Sequence, residues 1–327
     1  MKTSFNLIWR NRFITIIAFF ISMMGFYAEF FIPKPWTRLF SCMHLSFFEI
    51  ERHFDGVLNM NILNVIFYIY MLLGTLLYVF SKFKETRLIR LSFSMIILSR
   101  VLYFIAIVFF IQVESSYFGE KSLLFLFFCF ISLFVYGILS FICLKWLNMT
   151  KKIEKNKRIG TDEFIYAEVP LSIRFCHHLI DLFLCVILFF PLINGAPFFY
   201  LTQKFSLQYE KEWVTLYFLL AIFLSRFLYY MLFESIYKAT PAKFLTESIV
   251  AKKESSLTLK TTMLRTLIRF VPFEPFSFLW SGCWHDRWTS TLVIEEKRTG
   301  VSLKKYWLVI PLFFLVILFL WVLFLFI

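Results

Sequence analysis

Charge is the scarcest commodity in this sequence. Charged residues make up 17% of the 327 positions, against about 25% in soluble domains. Glycine and proline are also sparse, at nine each. The six cysteines (Cys42, Cys129, Cys143, Cys176, Cys185 and Cys283) include no C-x-x-C pair. A disulfide framework and a zinc-ligand spacing are therefore excluded. Catalytic signatures are missing too: there is no G-x-S-x-G, no H-E-x-x-H and no G-x-x-x-x-G-K-[ST]. An enzyme is not expected, nor a bound cofactor or metal.

Apolar surface dominates what is present. Hydrophobic residues reach 60%, phenylalanine alone supplies 47 positions, and the mean hydropathy is +0.75. A water-soluble domain of this size has no interior large enough to hide that surface, and disorder requires the opposite composition. The expected class is an all-α polytopic membrane bundle. The net charge of +13 in a soluble protein would suggest nucleic acid. In a membrane protein, basic residues flank spans and set orientation. Lipid is the expected partner, and nucleic acid is not.

A spanning helix takes about 20 apolar residues. Seven stretches qualify: 13–32, 62–80, 91–113, 122–147, 176–201, 213–236 and 306–327. An eighth, 270–284, is shorter and carries Pro272, Glu274 and Pro275; it reads as an interfacial or re-entrant piece. The connections on alternate sides of these seven spans hold 25 and 6 Lys and Arg residues. The positive-inside rule then puts the N-terminus in the cytoplasm and the C-terminus outside, in a bacterial-type inner membrane. The resulting organisation is a four-span region over 1–147, a polar cytoplasmic linker over 148–170, a two-span domain with a cytoplasmic interfacial segment over 171–300, and a last span within 301–327.

The first half offers few chemical handles. The stretch from Glu49 to Asp55 mixes carboxylates with His53, but its spacing matches no established metal site and it reads as a solvated loop. Arg100 falls inside a span, where an ionised side chain needs a partner; Glu29 is one candidate. Gly25, Gly74 and Gly137 are isolated in their spans, a weak signal for close helix packing.

The second half is richer. In R-F-C-H-H-L-I-D, Arg174, His177, His178 and Asp181 fall at i, i+3, i+4 and i+7, one face of a helix. Asp181 lies roughly 10 Å deeper than Arg174, so it needs a proton or a cation. Arg226 in the next span has a similar depth and is the expected partner, with His178 one turn away as a proton relay. Such a pair either fixes helix register or takes part in ion movement. Adjacent histidines point about 100° apart on a helix, so His177 and His178 do not share a metal.

These residues resemble the RDD family, named for one Arg and two Asp. Arg174 and Asp181 match the first two. Asp286 in Trp284-His285-Asp286-Arg287, followed by Thr289 to Thr291 and Leu292-Val293-Ile294, matches the third. Between them the family has a second span ending in an acidic residue, then a G-x-T-x-G-K-like turn. Glu234 and the run Lys238-Ala239-Thr240-Pro241-Ala242-Lys243 fill those places, followed by a strand-like 247–251 and a basic helix with Arg265 and Arg269. Both turn glycines are replaced, by Lys238 and Ala242, and Ser290 stands where the family usually has glycine. The likeness covers about 170–294.

The resemblance implies a polytopic membrane domain with transport of a small ion or solute as its suggested role. Asp181 would be the titratable site, Arg174 and Arg226 would tune its charge, and Asp286 would latch the cytoplasmic side by docking on Arg174 or Arg265. Trp280, Trp284 and Trp288 at helical spacing, beside Arg residues, alternatively anchor that segment to anionic headgroups. The competing function is a non-transporting membrane partner or assembly factor, its first four spans docking another membrane protein.

Overall fold

A computed structural model describes residues 2–31, 61–114, 121–149, 155–157, 164–194, 211–252, 257–274, 277, 283–297 and 300. The stretch 306–327 and the Glu49–Asp55 cluster lie outside them, as does Trp280. The first six apolar stretches all coincide with helices: α1 (Lys2–Phe31), α2 (Asn61–Phe80), α3 (Arg87–Glu114), α4 (Lys121–Met149), α5 (Leu171–Asn194) and α6 (Lys211–Tyr237). Three short helices follow: α7 (Pro241–Leu245), α8 (Leu259–Ile268) and α9 (Trp284–Trp288). By length and apolar composition, two stretches of described residues qualify as spans, Leu7–Ala28 and Phe130–Met149.

The protein is mostly helical rather than all-α. Strands β1 (Lys155–Lys157) and β2 (Phe164–Tyr166) form one antiparallel pair, and β3 (Ser248–Lys252) and β4 (Thr291–Glu295) form another. In the second, Ser248 faces Glu295 and Lys252 faces Thr291. The end of the linker joins its edge: the Val169 N–H donates to the Val293 carbonyl and the Glu295 N–H to the Ala167 carbonyl. Periodicity does not reveal such short pairings, because each segment needs its distant partner to satisfy its backbone.

Helix α3 is the shared wall of the molecule. It packs on α2, α4, α5 and α7. Every residue from Glu85 to Arg100 is buried. Arg100 lies over the Tyr136 ring of α4, 5.9 Å from its centroid; the Glu29 side chain is outside the described residues. At the start of α3, Arg87 and Arg90 are fully buried. Arg87 forms a two-pronged pair with Glu85, at 2.9 Å for both contacts, and Arg90 pairs with Glu296. These two cations, counted as orientation signals in the sequence, neutralise protein carboxylates.

Two of the isolated glycines are close-approach points. A Cβ on Gly25 would fall 2.2 Å from the Tyr68 ring of α2, and one on Gly74 would fall 2.9 Å from Leu88 and 3.1 Å from the Ile89 backbone. Ser22 adds a hydrogen bond of 3.1 Å to the Tyr68 carbonyl. Helices α1, α2 and α3 therefore pack tightly through single small residues rather than through a repeated small-residue motif.

Helix α8 is inverted relative to a water-soluble surface helix. Its buried face is Thr261, Thr262, Arg265, Thr266 and Ile268, while Leu259, Met263, Leu264 and Leu267 are exposed. Soluble helices turn their apolar stripe inward. Phe273 and Trp288 are exposed nearby in the chain, at 70% and 56%. In 270–284, residues 271–273 are bends and turns and Glu274 starts a single-turn element.

Candidate functional site

Helix α5 begins just after Pro170, whose carbonyl accepts from the Arg174 N–H. One face of α5 carries Arg174, His177, His178 and Asp181, and all four line a cavity of about 50 Å³. The opposite side carries Leu179, Leu182 and Phe183, which are exposed. The helical spacing thus delivers every polar side chain of this segment to one place. The other walls come from α6, α7, α8 and the segment leading into β4, through Tyr230, Lys243, Arg265, Arg269, Glu274 and Asp286 among others.

Glu234 is the hub on α6. Its carboxylate accepts from Lys243 Nζ at 2.8 Å, from Arg265 Nε at 3.1 Å, and from Arg269 Nη1 and Nη2 at 3.2 and 2.8 Å. Helix α8 and its C-cap supply two of these cations, because Arg265 and the capping Arg269 are one turn apart and both buried. Thr258 caps that helix, its hydroxyl accepting from the Thr261 N–H at 3.3 Å. Arg265 then bridges to the second acid: its Nη1 donates to Asp286 Oδ1 and to the Thr291 hydroxyl. Asp286 Oδ2 accepts from Arg174 Nη1 at 2.9 Å. The chain Arg174–Asp286–Arg265–Glu234–Lys243 ties the start of α5, α9, α8, the end of α6 and α7 into one unit.

Electrostatics follow from burial and these contacts. Burial alone would raise the Asp286 carboxyl; Arg265, His285 and Arg174 outweigh it and hold Asp286 below the usual carboxylate range. Burial also favours protonation of Glu274, but its hydrogen bond to His285 Nδ1 overrides this and lowers it. His285 is lowered from its ordinary value of 6.5, chiefly by burial, with Asp286 opposing. Burial likewise lowers Lys243, against the pull of Glu234. Cys283, His285 and Asp286 offer ligand atoms within 4.8 Å of one another. A metal cation there would face Arg174 and Arg265, which already occupy the Asp286 carboxylate, so the donor set suits an ion pair better than a metal.

Asp181 is 1% exposed. Its Oδ1 accepts from the Tyr229 hydroxyl at 2.6 Å and from the Ala242 N–H at 3.3 Å. The expected partner, Arg226, is elsewhere. Its guanidinium sits over the Tyr230 and Phe270 rings, 5.9 and 5.3 Å from their centroids. The depth match is off by one turn: Asp181 is level with Tyr229, about 4.5 Å along α6 from Arg226. Among the described residues, no cationic nitrogen lies within 4 Å of the Asp181 carboxylate. His178 is half-buried at the cavity wall, whereas His177 is buried and bonds the Thr246 and Ser248 hydroxyls.

Arg174 and Asp286 meet directly, and Asp181 and His178 share their cavity; Arg226 stands outside its lining. Lys243, Glu274 and His285 were not singled out as site residues, and neither was the role of Glu234 as a hub. A signal for Glu234 existed in two arginines at helical spacing with no acid on their own helix. Arg90–Glu296 left no local signal.

The altered turn keeps the conformation that glycine would have given. Lys238 has φ 57° and Ser290 has φ 51°, the left-handed region where glycine is favoured. Ala242 keeps its N–H aimed at Asp181. No curated protein and no solved structure is significantly similar to this chain. Residues 169–327 match the family model described as RDD family, a span that begins at Val169 on the edge of β4 and takes in the whole charged cluster. The C-terminal part of this chain, from Val169 onward, is thus similar to the RDD family.

Proposed function

We propose that the protein is a seven-span inner-membrane protein, N-terminus inside and C-terminus outside, that moves a small ion or solute through its RDD segment. Asp181 is the group whose charge changes during the cycle. One observation carries this reading: a carboxyl buried to 1% exposure, held by a phenol and a backbone N–H instead of a cation, forms part of a charged cavity. A carboxyl whose only purpose was helix register would be matched to a fixed charge, as Glu234 and Asp286 are. Protonation and deprotonation of Asp181 exchange a neutral state for an ionised one inside a site that cannot ignore the difference.

The cavity size supports a small cargo. A water needs about 10–15 Å³ by this kind of measure, so about 50 Å³ accepts a few waters or one small ion. Pockets for larger ligands run to about 300–1,000 Å³. The outward apolar face of α8 supports placement of the cluster at the cytoplasmic lipid boundary.

The rival reading, a membrane partner or assembly factor, assigns the first four spans to another protein. The contacts of α3 with α5 and α7 instead join them to the RDD segment, which favours one working unit.

The test is flux of Na⁺, H⁺ and small anions in proteoliposomes carrying wild type or Asp181→Asn. The expected result is a flux in wild type that falls at least tenfold in the variant while the variant remains folded. Equal flux in both, or none with any of these ions, refutes the proposal.

A further inference from the structure

Every exposed side chain from Thr261 to Glu274 is apolar: Met263, Leu264, Leu267, Pro272 and Phe273. The polar side chains of the same stretch turn inward. Arg265 and Arg269 hold Glu234, and Glu274 bonds His285. The Thr262 and Thr266 hydroxyls donate to carbonyls one turn back on the same helix. Among the described residues, exposed charge resumes on either side at Lys260 and Arg287. A surface meant for water carries polar groups among its apolar ones.

The contacts of this stretch step down α6, away from the end that carries Glu234. Arg265 meets Glu234, and Arg269 covers the Tyr230 ring at 3.9 Å. The Phe270 ring then lies 5.3 Å from the Arg226 guanidinium and 4.3 Å from the Phe223 ring. Phe223 precedes Glu234 by eleven residues, about 16 Å of helix. Half of a hydrocarbon core is about 15 Å thick. Leu219, Leu220 and Ile222 of α6 are exposed beside Phe223, so the apolar surface of 261–274 runs on into the side of that helix. The turn at the far end also meets the demand that lipid places on irregular backbone. The N–H groups of Arg269, Phe270, Val271 and Glu274 donate to the carbonyls of Thr266, Leu267, Ile268 and Val271, and Pro272 has no N–H to satisfy. Phe273 reverses the chain with φ 65°.

We infer that 259–274 is a re-entrant element: α8 descends into the cytoplasmic leaflet beside α6, reverses at Pro272 and Phe273, and lays its apolar side against lipid acyl chains. The inference rests on the proposed seven-span topology, because it takes α6 as a span with Glu234 near the cytoplasmic boundary. Lys260 and Arg287 then stand among the headgroups at the two ends. The return from the turn brings Glu274 to the cavity wall that His178 and His285 also line. The element thus separates the charged cavity from the acyl chains. Acyl chains fit this face better than a second copy of the chain, because it offers no polar group for a protein partner and is continuous with the apolar side of a span.

Nitroxide labels on Lys260→Cys, Leu264→Cys, Leu267→Cys and Phe273→Cys test the depth directly, in the full-length protein with its six native cysteines changed to alanine. The protein is reconstituted in vesicles of phosphatidylethanolamine and phosphatidylglycerol, and depth is read from the competing access of oxygen and a water-soluble nickel chelate. The expected order runs from the headgroups at Lys260→Cys to the deepest label at Phe273→Cys, with about 10 Å or more between them. Equal shallow depth at 264, 267 and 273 overturns the inference in favour of a helix lying flat in the interface. Free access of the nickel chelate to these three positions overturns it in favour of a surface in water. Spin–spin broadening that persists on dilution with lipid overturns it in favour of a second copy of the chain. Should the cysteine-free protein not fold, wild type in vesicles whose acyl chains carry a mid-chain photoreactive diazirine decides: crosslinks within 264–273 are expected, and their absence overturns the inference. A steep depth profile without flux of any ion would leave the re-entrant element standing and remove transport. Asp181-dependent flux with a flat profile would do the reverse.

Discussion

Arg90 and Glu296, 206 residues apart, meet in a two-pronged ion pair with Nη1–Oε2 at 2.6 Å and Nη2–Oε1 at 2.9 Å. The arginine is fully buried and also covers the Phe244 ring of α7 at 4.4 Å. Next to it, the Glu296 N–H donates to the Glu247 carbonyl at 2.7 Å, and the Arg87 guanidinium lies 3.8 Å from the Glu247 carboxylate. The N-terminal helix α3 is thereby tied to the chain that follows Val169. A double-mutant cycle with Arg90→Met and Glu296→Leu should give a coupling of about 1–3 kcal/mol in detergent unfolding. Additive effects would show that the link contributes nothing.

Glu234 neutralises Lys243, Arg265 and Arg269 together. Glu234→Gln leaves three buried cations without their shared anion and should destabilise by about 3–5 kcal/mol. Unfolding monitored by tryptophan fluorescence checks this. A loss below 1 kcal/mol would mean that water or another acid compensates the cations.

Lys238→Gly and Ser290→Gly should each stabilise by about 1 kcal/mol, since both residues hold a left-handed backbone that costs a side chain about that much. Both side chains are exposed, so little packing is lost. A drop in melting temperature for either variant would contradict the backbone assignment.

Acid sensitivity should come in two stages. His285 is lowered from 6.5, so the unfolded chain takes the proton first and stability falls as pH drops below 6.5. Asp286 and Glu274 are depressed below their ordinary values of 3.8 and 4.5. Their contribution is complete above those values and is lost only as pH falls through the lower folded-state values. Melting temperatures in wild type and His285→Gln should diverge as pH falls below 6.5, with the variant flatter. Parallel curves would remove His285 from the account.

Glycine substitutions should separate close packing from free surface. Gly25→Ala forces a carbon into the Tyr68 ring and should cost about 1–3 kcal/mol. Gly137→Ala meets nothing nearer than Arg100 Cβ at 3.9 Å and should be neutral or gain up to about 1 kcal/mol. Equal effects of the two would mean that α1 and α2 are not in contact at Gly25.

Local spacing made much of the site legible. A run of charge at i, i+3, i+4 and i+7 can only describe one helix face, and Arg174, His177, His178 and Asp181 share a cavity for that reason. The lengths of α1 to α6 likewise follow from apolar runs between polar connections. Partners across elements were harder. Asp181 bonds Tyr229 rather than Arg226 because one helical turn of relative sliding, invisible to residue counting, changes which side chain is level with it. The β3–β4 ladder and the Arg90–Glu296 pair depend on a chain reversal that no nearby residue encodes.

The 206-residue separation between Arg90 and its carboxylate also sets a schedule for biosynthesis. At about 5–20 residues per second, the ribosome takes about 10–40 s to deliver the second residue after the first. Throughout that interval Arg90 is without the carboxylate it pairs with in the folded chain. The contact between α3 and the strand end at Glu296 therefore cannot close before the segment around Glu296 has emerged.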